Sequence, residues 1–154
     1  MPRFQTAFSA AILAATVGFL SATPAQASSA LSQGCLAVDR TAKPQATIYF
    51  AVDSTTISAK DREILTRVAY DGQSQSKVCV IGQADKQGNS AYNQALAAKR
   101  AKAVESYLVE HGLSSSLVEA GSRGEAFGDS FLEALGSEKQ DRRVDIYFLT
   151  NAER

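Results

Sequence analysis

The sequence is short of the residues on which most catalytic and metal chemistry depends: it has one histidine, His111, two cysteines, one methionine and no tryptophan. A single histidine with two cysteines cannot supply a recurring zinc pattern, and no G-x-x-x-x-G-K-S/T, H-E-x-x-H or G-x-S-x-G occurs. No metal site and no cofactor are expected. An excess of one charge is also missing, since 16 Lys+Arg stand against 16 Asp+Glu and no basic run exceeds the pair Arg142-Arg143. The electrostatic footprint of a nucleic-acid binder is therefore absent. With 45% hydrophobic and 21% charged residues in 154, and with no repeat or low-complexity tract, the composition is that of one ordinary folded domain.

The first 27 residues stand apart. Arg3 is their only charge, Phe8 to Leu20 is apolar apart from Ser9, Thr16 and Gly18, and Ala25-Gln26-Ala27 follows. This is the layout of a secretory signal peptide, with cleavage expected after Ala27. A membrane anchor fits less well, because about 20 strongly apolar residues are wanted to span a bilayer and this run is shorter and Ala-rich. Cys35 raises the alternative of lipidation, but Ser32-Gln33-Gly34 makes a poor lipoprotein box. Removing residues 1 to 27 leaves 15 basic against 16 acidic residues, so the mature chain is a nearly neutral exported protein with no transmembrane segment.

Export changes the reading of the cysteines, because the periplasm or cell exterior is oxidising enough to keep a disulfide. Neither Cys35 nor Cys79 lies in a C-x-x-C or beside a histidine, as a reactive thiol often would. A structural Cys35–Cys79 bridge is expected.

A Ser-rich lead, residues 28 to 45, precedes a segment from Ala46 to Val52 whose β-branched and aromatic residues predict a strand, ended by Asp53-Ser54-Thr55-Thr56. Ser58 suits an N-cap for a helix over Ala59 to Tyr70. A strand is predicted over Lys77 to Gln83. A longer helix opens at Gly88-Asn89-Ser90 and runs to Glu110, where Gly112 suits a left-handed C-terminal position. A short strand from Leu117 to Gly121, a Gly-rich loop from Gly121 to Gly128, a weak helical stretch from Ser130 to Leu135 and a last strand from Arg143 to Leu149 complete the pattern. Residues 46 to 150 thus read as one α+β domain of order β-α-β-α-β-β, with helices packed on a small mixed sheet.

The longer helix carries an anomaly. At about 100° per residue, with Tyr92 at zero, Ala103, Leu96, Tyr107, Val104 and Leu108 form an apolar stripe between about 0° and 160°, while Arg100 at about 80° and Asn93 at about 100° fall in its middle. Lys99, Lys102 and Glu105 lie on the opposite side. A guanidinium facing the sheet needs a partner, which an internal salt bridge, a path to the surface or a ligand could supply. Asp85 lies just past the strand Lys77 to Gln83, where ligand sites of such sheets gather. Asp85 and Arg100, with Asn93 between them, suit a zwitterionic ligand: the acid for an ammonium, the guanidinium for a carboxylate. The alternative is that Asp85 only caps its turn.

The run from Gly82 to Ala101, GQADKQGNSAYNQALAAKRA, resembles the peptidoglycan-binding signature of OmpA-like domains, G-H-T-D-x-x-G-x-x-x-Y-N-x-x-L-S-x-x-R-A. Tyr49-Phe50 with Asp53-Ser54, Gly124-Glu125 and Arg142-Arg143-Val144-Asp145-Ile146 resemble the family's first strand, Gly-Glu loop and last strand, in the right order over residues 46 to 149. The resemblance implies an OmpA-like two-layer sandwich that binds peptidoglycan without a covalent bond, by recognising the diaminopimelate of the stem peptide. It assigns Asp85 to the ammonium and Arg100 to a carboxylate, with Asn93 in support. Ala84 stands in place of the usual threonine, Gln83 of a frequent histidine and Ala51 of an acid or amide, so polar contacts at the rim are fewer. The implied setting is the periplasm, in association with the wall or outer membrane. The competing reading is a scaffold of the same fold, or a subunit of an envelope assembly, whose partners are envelope or outer-membrane proteins. An enzyme that cleaves the wall is not expected, since paired carboxylates in a cleft or a metal cluster would be needed.

Overall fold

A computed structural model describes residues 31–39, 41–84, 89–125 and 142–150. The expected signal peptide and the expected helical stretch from Ser130 to Leu135 lie outside them.

The elements in chain order are α1 (Gln33–Leu36), β1 (Ala46–Tyr49), α2 (Ala59–Gly72), β2 (Lys77–Ala84), α3 (Ser90–Glu110), β3 (Val118–Glu125) and β4 (Arg143–Leu149). The strands form a four-stranded mixed sheet in the order β1-β4-β2-β3. β4 is antiparallel to both its neighbours, with Ile146 opposite Ala46 on one side and Val80 on the other. β2 and β3 run parallel, as a connection through the long α3 permits.

Both faces of β2 are covered, so Val78, Cys79, Val80 and Ile81 are all completely buried and alternate between two cores. Val78 and Val80 point to the helical layer with Ile48, Val118, Ala120, Val144 and Ile146, where they meet Leu65, Val68 and Ala69 of α2 and Ala101, Val104 and Leu108 of α3. Cys79 and Ile81 point the other way and join Leu31, Cys35 and Tyr147 in a second cluster beneath α1. The Cys35–Cys79 disulfide is present, with Cα atoms 5.5 Å apart. The lead segment is thus bound to the face of the sheet opposite the main helices. Glu119 accepts the Ser32 N–H, and Arg123 Nη2 donates to the Cys35 carbonyl at 2.9 Å.

Local signals account for the helix ends. Ser58 caps α2 by accepting the Asp61 N–H, as its position in the sequence suggests. At the end of α3, Gly112 takes φ +99°. There the Leu113 N–H reaches the Leu108 carbonyl at 3.0 Å and the Gly112 N–H reaches that of Val109 at 3.1 Å, a Schellman closure.

Two strands differ from the sequence expectation. β1 stops at Tyr49 rather than at Val52, because Ala51 to Ser54 form a turn closed by the Ser54 N–H on the Ala51 carbonyl at 3.3 Å. In that turn Asp53 adopts φ +49°, which no extended strand allows. β3 continues through Gly121 to Glu125, where a loop is the sequence expectation. β2 reaches Ala84 and offers ladder partners, with Ile81 opposite Gly121 and Gly82 opposite Ser122. Pairing outweighs the poor strand propensity of glycine, and an irregularity between Gly82 and Ala84 absorbs an extra residue.

Candidate functional site

β1 and β2 end, and β4 begins, at one end of the sheet: Tyr49 is paired with Arg143 and Gly82 with Val144. The chain therefore leaves β1 and β2 at the same end of the sheet. α3 starts at the same end, capped by Asn89, whose side chain accepts the Tyr92 N–H at 2.9 Å. Its height over the sheet is set by small residues. A Cβ built on Gly82 would overlap the backbone carbonyl of Ala97, so α3 and β2 touch main chain to side-chain-free main chain at this point.

Arg100 is 3% exposed, as the sequence expectation of an inward arginine requires. Two backbone carbonyls of the β1–α2 connection accept from it. Nε donates to the Ser54 carbonyl and Nη2 to the Ala51 carbonyl, each at 2.9 Å, and the guanidinium carbon lies 5.4 Å from the ring centroid of Phe50. Phe50 is itself buried, so the cation rests on an apolar platform with reduced access to water. The stripe is rotated relative to the sequence reading. The buried positions of α3 are Ala97, Arg100, Ala101, Val104 and Leu108, centred near about 135° on the same wheel, so Arg100 lies at the edge of the buried face. Tyr92 is half exposed rather than part of the core. Asn93 is partly buried, two turns before Arg100.

Sequence reasoning does not anticipate the role of Tyr92. Its hydroxyl donates to Asp53 Oδ1 at 3.1 Å, which ties the first turn of α3 to the turn that Arg100 holds from within. The hydrogen bond, with the charge of Asp53, raises the phenol above its ordinary value of 10.0. The available signal was the Asp-Ser pair after β1, which suits a turn needing positive φ.

Asp85 directly follows the last residue of β2 and lies outside the described residues. On the sheet itself Asp145, opposite Ile81, is a buried acid, 3% exposed. It accepts from Thr47 Oγ1 at 2.8 Å, Arg143 Nε at 3.0 Å and Gln83 Nε2 at 3.3 Å, which occupies Gln83 on the sheet. Among the described residues no group of three or more His, Cys, Asp or Glu side chains could hold a metal ion, and no helix is long and apolar enough to cross a membrane.

A small mixed sheet with α3 packed across β2, and an arginine buried against the connection that leaves β1, define a two-layer α+β class of fold. Residues 49–142 match the model of the OmpA family, and the chain belongs to that family. It is 32% identical over 114 residues to the peptidoglycan-associated lipoprotein of Pseudomonas putida, covering 73% of this chain and 69% of that protein. It is 32% identical over 121 residues to the protein of the same name from Pseudomonas aeruginosa, covering 78% of this chain and 72% of that protein. The crystal structure of the peptidoglycan-associated lipoprotein from Burkholderia pseudomallei superposes with a TM-score of 0.58 at 28% identity, covering 69% of this chain and 90% of that one.

Proposed function

We propose that this protein binds peptidoglycan non-covalently, in the periplasm, by recognising the diaminopimelate residue of the stem peptide. Asp85 pairs with the ammonium of that residue, Arg100 with a carboxylate, and Asn93 supports the contact. The observation that carries the reading is the burial of Arg100 against the connection that leaves β1, three residues along α3 from Ala97, which lies on Gly82 near the end of β2. A cation placed there at the cost of desolvation is of use where a charged ligand arrives. Membership of the OmpA family and likeness to proteins named for their association with peptidoglycan support the same reading. The role is one of binding, without catalysis.

Because loop carbonyls already draw on Nε and Nη2 of Arg100, a ligand carboxylate shares the guanidinium with the β1–α2 turn. A lysine at this position could not serve both, since its ammonium lacks the planar fork.

Sedimentation with purified sacculi tests the proposal. Wild type is expected in the pellet with diaminopimelate-type walls, whereas Asp85→Ala and Arg100→Ala each remain largely in the supernatant. Lysine-type stem peptides lack the second carboxylate, so binding to them should be weaker. Equal binding to both wall types, or full binding by Asp85→Ala, would remove the mechanism. No sedimentation at all would favour the scaffold reading, in which the fold serves protein partners of the envelope.

A further inference from the structure

We infer that Asp53 and Tyr92 form a clamp that positions Arg100 for its ligand, an inference that rests on the wall-binding reading above. The two carbonyls that accept from Arg100 belong to Ala51 and Ser54, the first and last residues of one turn. Asp53 lies between them, at the third position of that turn, with φ +49°. A side chain at positive φ is held there only when the surroundings compensate. Two contacts do so. From within, the guanidinium seizes both ends of the turn. From outside, the Tyr92 hydroxyl bonds the Asp53 carboxylate at 3.1 Å.

Tyr92 is on the first turn of α3 and Arg100 is on the third, so one helix grips one turn at two points. The turn, and with it the two acceptors that fix the guanidinium plane, cannot rotate while the Tyr92–Asp53 bond is intact. Released from that bond, the turn can relax toward ordinary negative φ, which moves the Ala51 and Ser54 carbonyls and lets the arginine follow. Asp53 and Tyr92 are positioning residues: they act through Arg100 and need not touch the ligand.

The test uses the full mature chain, sacculus sedimentation and NMR of the Arg100 Nε–H. Tyr92→Phe removes only the hydroxyl, and Asp53→Gly keeps positive φ accessible while removing the acceptor. Each is expected to weaken wall binding about tenfold, the scale of one charge-assisted hydrogen bond. Their urea midpoints should stay near wild type, and the Arg100 Nε–H should exchange faster. The double variant should bind no more weakly than either single one. Asp53→Asn, which still accepts from Tyr92 and tolerates positive φ, should restore binding. Multiplying losses, or Tyr92→Phe with wild-type binding and wild-type Nε–H exchange, would overturn the clamp. So would loss of binding in Asp53→Asn, which would make Asp53 a direct contact of the ligand ammonium. If wild type fails to sediment, the wall-binding reading fails, and unchanged Nε–H exchange in Tyr92→Phe would then sink the clamp separately.

Discussion

Gly82 and Ala97 are in direct main-chain contact: the space that a Cβ on Gly82 would occupy is filled by the Ala97 carbonyl. Neither backbone can yield easily, since β2 is an interior strand and α3 is fixed by Ala101, Val104 and Leu108 below it. Gly82→Ala should therefore destabilise the fold by about 1–3 kcal/mol, the usual cost of overpacking. It should also lift α3 and move Arg100 from its turn. A urea midpoint unchanged from wild type would show that the helix can slide at no cost.

Truncating Arg100 removes two charge-assisted hydrogen bonds from buried surroundings. Arg100→Ala is expected to cost about 2 kcal/mol of stability beyond any effect on binding. Arg100→Glu should cost more, because a carboxylate would face the Ala51 and Ser54 carbonyls with nothing to donate. Urea denaturation of the three proteins orders them. A glutamate variant as stable as wild type would contradict the inward placement.

Both sulfurs of the Cys35–Cys79 bridge are sealed from solvent, each residue having no exposed surface. Alkylation of the unreduced protein in denaturant should label neither cysteine, as mass spectrometry would register. Replacing both by serine should cost about 4 kcal/mol in the chain-entropy model, for a sequence separation of 44. The lead segment should detach first, since few other contacts hold it.

One of those contacts depends on pH. Burial pushes the Glu119 carboxyl up, but the Ser32 N–H and the Lys77 ammonium, 3.1 Å away, outweigh it and hold the group below its ordinary value of 4.5. A lowered folded-state pKa means that this contribution is complete above pH 4.5 and is lost as pH falls through the folded value. The stability difference between wild type and Glu119→Gln should stay constant from neutral pH down to that point and shrink below it. A difference that grows on acidification would reverse the assignment.

The periodic parts of the fold are legible in the sequence. Ser58, Asn89 and Gly112 mark helix ends by chemistry local to a few residues, and the β-branched run of β2 marks a strand buried on both faces. Arg100 was legible because a charge on an apolar stripe is a local contradiction. What escaped depends on distant partners. The true centre of the α3 stripe follows from where Gly82 lets the helix settle, 15 residues away in sequence from Ala97. The extension of β3 past Gly121 follows from the reach of β2, and the outward turn of Tyr92 follows from Asp53. Four residues of α1 carry too little pattern to announce a helix, and their place is set by the disulfide.

The bridge also decides how the molecule would carry a load. Tension on the chain ahead of Cys35 passes through the sulfurs into Cys79, in the interior strand β2, without travelling along residues 36 to 78. The short strand β1, which among the described residues pairs with β4 alone, lies off this path, so a pull from that direction cannot peel it away. The force meets instead a strand flanked by β4 and β3, whose ladders must give way together. A tethered molecule of this design would keep the end of the sheet near Arg100 intact under strain that would unravel a linear chain from its first strand.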